Sequence, residues 1–388
     1  MQHADHFDLV VVGAGILGLA TAWRARQRGW KVAVLERHAR CIGASVRNFG
    51  FVTVTGQGPA DHWRRAQISR AAWEEIAPQA GIPVLQRGAW VLAQRPEAAA
   101  LLEAFAAGDM GTGCRLLGPA QMQRECPALR PGELLLHSPH ELRIESREAV
   151  ARLAQWLQQI HGVDFHWHTA VHEIDLPRVH SSRGVFRAEH CVVCPGHDLS
   201  SLPAQWLADA GLRTRIRVCT LQMLRVAPAR PLPLPCTLTS DLSLLRYPGF
   251  ATLPQAAVLR QRLEREQPQH LAQGVHLIVA SGADGSLVVG DSHVYGDAEQ
   301  PFARSEVDHL ILDELRNVLD GGDLQVTEHW VGSYASADQP VFLGSPAAAW
   351  RSVWSPAAPV HRPLLRWVTS CWTAPWGAAR AGEERFRQ

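Results

Sequence analysis

The sequence predicts an α/β chain: a parallel sheet flanked by helices, with an antiparallel sheet inserted into it. Three observations predict this. Residues 8–36 read strand, glycine turn, helix, strand. Two later apolar stretches, 163–174 and 188–194, flank no further helix and return to the same sheet after the helix at 147–160. Residues 213–324 hold several strands, among them a hairpin that turns on Ala283-Asp284-Gly285.

The opening stretch organises the rest. Asp8-Leu9-Val10-Val11-Val12 is a short apolar run and reads as a fully buried strand. Gly13-Ala14-Gly15-Ile16-Leu17-Gly18 follows at once, then a helix over 19–28 that ends at Gly29. Lys31-Val32-Ala33-Val34-Leu35 is a second strand with Glu36 at its tip and Arg37 beside it. Gly13 permits a tight turn, Gly15 lets the backbone approach a pyrophosphate, and Gly18 lets helix and strand pack closely. The helix start offers unpaired N–H groups and a positive dipole end to phosphates. Glu36 can accept hydrogen bonds from a ribose. Together these residues form a Rossmann-like dinucleotide-binding unit, with Gly13 to Gly18, Glu36 and Arg37 as its cofactor contacts.

Composition narrows the chemistry. The chain has 388 residues, is 46% hydrophobic and carries a net charge of +1, so no polyanion or membrane surface is implied as a partner. Lys31 is the only lysine, which excludes Schiff-base chemistry unless Lys31 itself serves. The apolar stretch near the start is too short and too rich in glycine to span a bilayer, and no targeting segment is expected. Eight cysteines without a disulfide framework suit a reducing cytoplasm. Cys191 and Cys194 have a metal-like spacing, but no second pair follows at a zinc-site distance, so packing is expected and no metal site is predicted.

The next segment is a loop in close contact with something. Cys41-Ile42-Gly43-Ala44-Ser45-Val46-Arg47-Asn48-Phe49-Gly50 alternates small residues with hydrogen-bonding ones. Together with the opening fingerprint, Gly43-Ala44-Ser45 through Arg47-Asn48 and Gly50 resembles the FAD-dependent amine oxidoreductases of the D-amino-acid oxidase, glycine oxidase and sarcosine oxidase type. More narrowly, Ser45 to Gly50 through Gly56-Gln57 resembles a bacterial branch proposed to oxidise an aminophosphonate. The resemblance covers roughly residues 5 to 342.

The resemblance implies FAD as cofactor and a loop that runs along the flavin, with Gly43, Ala44, Ser45, Asn48 and Gly50 beside it. Arg47 is a flavin contact, a substrate contact, or a buried arginine pinning the loop. The resemblance also gives the Val171 backbone to the adenine. Gly196, in the turn Pro195-Gly196-His197 at a strand's end, is where an open sheet binds its ligand.

The remaining elements follow in order. Residues 60–79 read as an amphipathic helix, 88–93 as a strand, 96–107 as a helix and 119–130 as a turn-rich helical piece. Ser146 reads as the N-cap of the next helix. Residues 215–225 and 242–247 read as strands, 276–280 and 287–290 as the hairpin, and 306–319 as a helix whose Val307, Leu310, Ile311, Leu315 and Val318 share one face. In the family the antiparallel sheet roofs the flavin. Residues 1–84, 145–212 and 325–388 are therefore expected to form the FAD-binding domain, and 85–144 and 213–324 the substrate domain.

The expected activity is oxidation of a small amine or amino acid by hydride transfer to flavin, giving an imine that hydrolyses. Within the resemblance the substrate is an aminophosphonate such as 2-amino-1-hydroxyethylphosphonate. Arg225, Arg246 and Tyr247 are the candidate anion contacts on the roof, since an arginine fork suits a phosphonate or carboxylate. The electron acceptor is oxygen or another oxidant. Sarcosine-oxidase-like relatives place a lysine near the flavin for oxygen, and this chain has none to spare. The alternatives are a flavin monooxygenase of related fold and a non-catalytic flavoprotein relic. Nucleic acid is not expected as a partner.

The tail departs from the family. No glycine occurs between Gly344 and Gly377, and Trp350, Trp354, Trp367, Trp372 and Trp376 stand among Pro356, Pro359, Pro363 and Pro375. That mixture fits neither strand nor helix period. Residues 344–388 are therefore expected to be atypical and read out of frame. Residues 353–363 can be back-translated so that a shifted frame gives Val-Val-Thr-Ser-Gly-Thr-Gly-Ala-Ser-Thr, the strand and glycine-rich turn the family shows.

Overall fold

The computed structural model describes residues 6–199, 216–337, 342–347 and 350–354. Two sheets share the chain. In the first, His6–Val12 lies between Gly184–Val193 and Val32–Leu35, all parallel, with Asp164–His166 parallel beyond Val32–Leu35. Val32–Leu35 is buried along its whole length, as expected of a strand covered on both faces. The helix Ile16–Arg26 buries small and large residues nearly all round, because it is held between the sheet and the helix Ser146–Gln159.

The second sheet has ten strands. Its spine is Arg217–Pro228, which pairs antiparallel with Leu324–Ser336 on one side and with Leu287–Gly290 and Val294–Gly296 on the other. The hairpin of Ile278–Ser281 and Leu287–Gly290 forms as the Asp-Gly turn predicts. Thr237–Thr239 joins Val84–Ala93 in parallel, so the sheet is mixed rather than wholly antiparallel. Its core packs against Pro96–Ala106, Gln255–Glu266 and Ser305–Val318.

Several expectations need correction. Residues 242–247 are not a strand: Asp241–Leu244 is a helical turn, and Arg246 and Tyr247 lead into the short helix Pro248–Ala251. The cause is tertiary, since the Asp241 carboxylate accepts the Gln94 N–H at 3.0 Å and pairs with Arg95 at 2.7 Å. Ser146 is the first helical residue rather than the cap; Glu145 occupies the cap, and the Ser146 hydroxyl donates to the Asn48 carbonyl at 3.0 Å. The stretch 163–174 is two strands, Asp164–His166 and Val171–Asp175. Leu324–Ser336, expected with the nucleotide part, belongs to the second sheet, as does Phe51–Val52.

The tail also differs from expectation. Phe342–Ala347 and Trp350–Trp354 are strands, and the latter runs parallel to Gly184–Val193. The rest of the stretch 355–388 lies outside the described residues.

Candidate functional site

The glycine turn is built by close approach. Gly13 has a φ of +103°, and a Cβ on it would stand 2.6 Å from the Cys194 carbonyl oxygen. A Cβ on Gly18 would come within 1.9 Å of the Gly13 carbonyl oxygen, so the helix can sit on the turn only with glycine there. Gly15 caps the helix without a side-chain hydrogen bond, and no acid lies in the first turn. The helix start is thus left with donors and a positive dipole end. Ser45 Oγ takes one of them, the Ile16 N–H, at 3.0 Å, which ties the turn to the second loop.

Glu36 is buried and already employed. Its Oε2 accepts the Ala14 N–H at 2.9 Å and its Oε1 the His38 N–H at 3.0 Å. Arg37 pairs with Asp198. Ala44–Val46 is a short helical turn. Asn48 locks the end of the loop: its Nδ2 donates to the Ala44 carbonyl and its Oδ1 accepts the Gly50 N–H, both at 2.7 Å. Arg47 donates to the Val331 carbonyl at 3.3 Å, and its own carbonyl accepts from Trp330 Nε1 at 3.4 Å.

These residues enclose a cleft of about 370 Å³. Gly13, Gly15, Glu36, Arg37, Gly43, Ala44, Ser45, Arg47, Val171 and Gly196 line it. Ala14, Ile16, Leu17, Gly18, Asn48 and Gly50 do not; they build the turn and the loop behind it. Sequence reasoning missed Thr169, Cys194, His197, Glu299 and Ser333 in the lining. Glu299 comes from the loop after Val294–Gly296 and pairs with His197, so the second sheet reaches over to the first. No local signal marks such a residue. Thr169, two residues before Val171, was within reach of the family pattern.

A second polar group lies on the other sheet. Arg246 donates to the Tyr295 hydroxyl at 2.7 Å and to the Tyr334 hydroxyl at 3.2 Å. Burial pulls its pKa down, but Tyr334, Tyr295 and Asp291 more than offset this and hold the guanidinium above its ordinary range. Tyr334 follows Ser333, a residue of the cleft. Tyr247 is buried, with its ring edge-on to His276 at 5.8 Å.

Arg225 is not brought there. It lies six residues beyond Cys219, which faces Tyr295 and Tyr334 in the sheet, roughly 20 Å along the same strand. There it bonds Ser286 Oγ at 2.8 Å and sits 3.5–3.9 Å from carboxylates of Glu145, Glu328 and Asp284. Lys31 stands at the start of Val32–Leu35, over the Phe7 ring, at the opposite end of the strand from Glu36. Cys191 is buried, and burial drives its pKa up; among the described residues neither it nor Cys194 joins a metal-type cluster. Among the described residues no helix is long and apolar enough to cross a membrane.

Comparisons with known proteins give the family and the fold. The family model described as FAD dependent oxidoreductase matches residues 8–357. The fold is similar to that of glycine oxidase from Geobacillus kaustophilus, with a TM-score of 0.73, 17% identity and 94% of each chain covered. It is also similar to L-proline dehydrogenase from P. horikoshii, with a TM-score of 0.72, 16% identity and 95% of this chain and 92% of that one covered. L-alpha-glycerophosphate oxidase from Mycoplasma pneumoniae, solved with FAD bound, gives a TM-score of 0.72 at 15% identity, covering 95% and 94%. A curated relative, the mitochondrial pyruvate dehydrogenase phosphatase regulatory subunit of Mus musculus, is 22% identical over 216 residues. That match spans 53% of this chain but only 24% of the relative.

The residues present fit the cofactor. The cleft has a glycine cradle that a Cβ would fill, an open helix start for phosphates, and a carboxylate at the second strand's tip. By its family match over most of its length, the chain belongs to the DAO family of FAD-dependent oxidoreductases.

Proposed function

We propose that this protein oxidises a small amine that carries an anionic group, with an aminophosphonate such as 2-amino-1-hydroxyethylphosphonate as the candidate substrate. One observation carries the reading. Arg246 is held between two tyrosine hydroxyls on the sheet that adjoins the cleft, and it has no carboxylate partner among the ion pairs of the described residues. An arginine so placed keeps its charge for an incoming anion, and the tyrosine hydroxyls add donors to the same group.

FAD, when bound, supplies a two-electron acceptor for the substrate's α-hydrogen. The chain supplies the rest. Gly13, Gly15 and the helix start hold the pyrophosphate, Glu36 the ribose, and the Val171 backbone the adenine. The segment from Gly43 to Gly50 runs along the flavin, stiffened by Asn48. Arg246, Tyr295 and Tyr334 fix the substrate's anion, which orients its carbon. Arg225, neutralised by three carboxylates, serves the sheet rather than the substrate.

The test is anaerobic flavin reduction across a panel: 2-aminoethylphosphonate, 2-amino-1-hydroxyethylphosphonate, glycine, sarcosine, D-alanine and ethylamine. Fast bleaching with the anionic amines and little with ethylamine is the expected result. Arg246→Leu should raise the KM for the anionic amines by about 10-fold or more, the worth of a charged hydrogen bond, and leave ethylamine unaffected. Equal losses on both kinds of substrate give Arg246 a structural role, and no bleaching by any amine removes amine oxidation.

A further inference from the structure

Three hydroxyl side chains line the cleft: Ser45, Thr169 and Ser333. Two of them are already employed. Ser45 Oγ accepts the Ile16 N–H at 3.0 Å, and Thr169 Oγ1 donates to the Trp167 carbonyl at 3.0 Å. Ser333 is 2% exposed, and its Oγ has no hydrogen-bond partner among the described residues. Leaving a buried hydroxyl unpaired costs free energy, so one in the wall of a binding cleft calls for a partner that binds there.

The backbone at Ser333 is open in the same way. The Gln222 N–H reaches Ser292 Oγ at 3.1 Å, and the Gln222 carbonyl accepts the Ser292 N–H at 3.4 Å. Both bonds lie on the side of Arg217–Pro228 away from Leu324–Ser336. Gln222 and Val331, opposite each other in the ladder, are therefore a pair without mutual hydrogen bonds. The Val331 carbonyl accordingly turns outward, where it accepts from Arg47. Thr220 and Ser333 are the next such pair, two residues along with no slip of register. The Ser333 N–H and carbonyl thus also leave the ladder on the outer edge of the strand. Among the described residues no further strand covers that edge.

The rest of the lining indicates which part of the cofactor lies here. Glu36, Arg37 and residues 169–174 are read as its adenosine end, and Gly13 and Gly15 as its pyrophosphate turn. The strand of Ser333 is tied instead to Arg47, through the Val331 carbonyl and through Trp330 Nε1, which donates to the Arg47 carbonyl at 3.4 Å.

We infer that Ser333 is a flavin contact, whose hydroxyl and backbone N–H together donate to an acceptor atom of the bound flavin ring. The inference rests on the reading that Gly43 to Gly50 run along the flavin, and not on which amine is oxidised. Reduction gathers negative charge on the ring, so two donors at one acceptor hold reduced FAD more tightly than oxidised FAD. In the empty protein the same hydroxyl is a burden, and its removal stabilises the fold.

The experiment titrates the full chain with oxidised FAD, and with dithionite-reduced FAD under argon, as wild type, Ser333→Ala and Ser240→Ala. Ser240 is the control: it is fully buried with an equally unpartnered Oγ, and it lies outside the cleft's lining. Ser333→Ala should raise the Kd of oxidised FAD about threefold and that of reduced FAD about thirtyfold. That tenfold difference lowers the two-electron midpoint potential by about 30 mV. The visible absorption band of bound FAD should shift as well, and the FAD-free variant should melt about 1–3 °C above wild type. Ser240→Ala should change neither Kd; a matching loss there would make the effect a general one and overturn the inference. A lower melting point in FAD-free Ser333→Ala would mean that the hydroxyl is bonded without the cofactor, which also overturns it. Equal weakening of both redox forms with an unmoved absorption band puts Ser333 on the cofactor's chain, and the placement of the ring along Gly43 to Gly50 fails with it. Unchanged Kd values for both forms remove Ser333 from the site and leave that placement standing.

Discussion

Glu36 holds two backbone N–H groups before any ribose arrives, so its loss acts twice. In Glu36→Ala the Ala14 and His38 donors are orphaned, and the acceptor for the ribose disappears. FAD binding should weaken by about 1.5–3 kcal/mol, the range for hydrogen bonds to a charged group. Titrating the apoprotein with FAD and following flavin fluorescence measures it, and an unchanged Kd would remove Glu36 from the site. This residue was legible because a strand tip after a glycine turn fixes its place. Arg225 and Arg246 were not separable in the same way, since each follows a leucine in an apolar stretch. Only the register of the neighbouring strands shows one among carboxylates and the other among tyrosines.

Gly50 is the joint between the two sheets. It ends the loop of the cleft, and its carbonyl accepts the Ile144 N–H at 2.9 Å as the chain enters Phe51–Val52. Its φ is +64°, and a Cβ would meet the Ile144 carbonyl oxygen at 1.7 Å and buried Arg143 at 2.6 Å. Backbone strain and overpacking should each cost Gly50→Ala about 1–3 kcal/mol. Gly285→Ala, in the hairpin turn at φ +80° with nothing nearby, should show the strain alone. Denaturant unfolding of the two variants checks this; equal midpoints would mean the joint yields without cost. Elements with a clean period were readable here, the helix Ser305–Val318 above all. The stretch 242–247 misled because Leu242-Ser243-Leu244 alternates like a strand, while the buried Arg95–Asp241 pair imposes a helical turn. Leu134–Ile144 escaped notice because it contains Pro139. That proline falls where the register slips, between Ser138 opposite Ala89 and Leu142 opposite Arg87, so no ladder bond is lost.

At the scale of the whole molecule, the tail is where the sequence departs from the expected pattern. The backbone of Trp350–Trp354 supplies the parallel strand beside Gly184–Val193, and the family match runs to residue 357. The strand was unreadable from its tryptophans and the prolines that follow it, yet a ladder needs only backbone groups. The shifted frame begins to give its valine-rich and glycine-rich sequence at Val353, inside that strand. A change of frame, should the coding DNA show one, would then lie near Val353. As written, the chain has no glycine from there to Gly377. A glycine-rich turn and the helix after it would bring backbone donors and a positive dipole end to the flavin's pyrimidine edge, where negative charge gathers on reduction. The chain as written is thus expected to retain FAD poorly and reduce it slowly. A gene restored to the shifted frame from Val353 should give a yellow protein with a higher flavin-to-protein ratio and faster anaerobic bleaching by an anionic amine. The coding DNA comes first: two bases of each shifted codon are fixed by the residues observed. Codons that do not spell the glycine-rich turn, or a restored chain that holds no more flavin than the present one, would show the tail to be a genuine divergence.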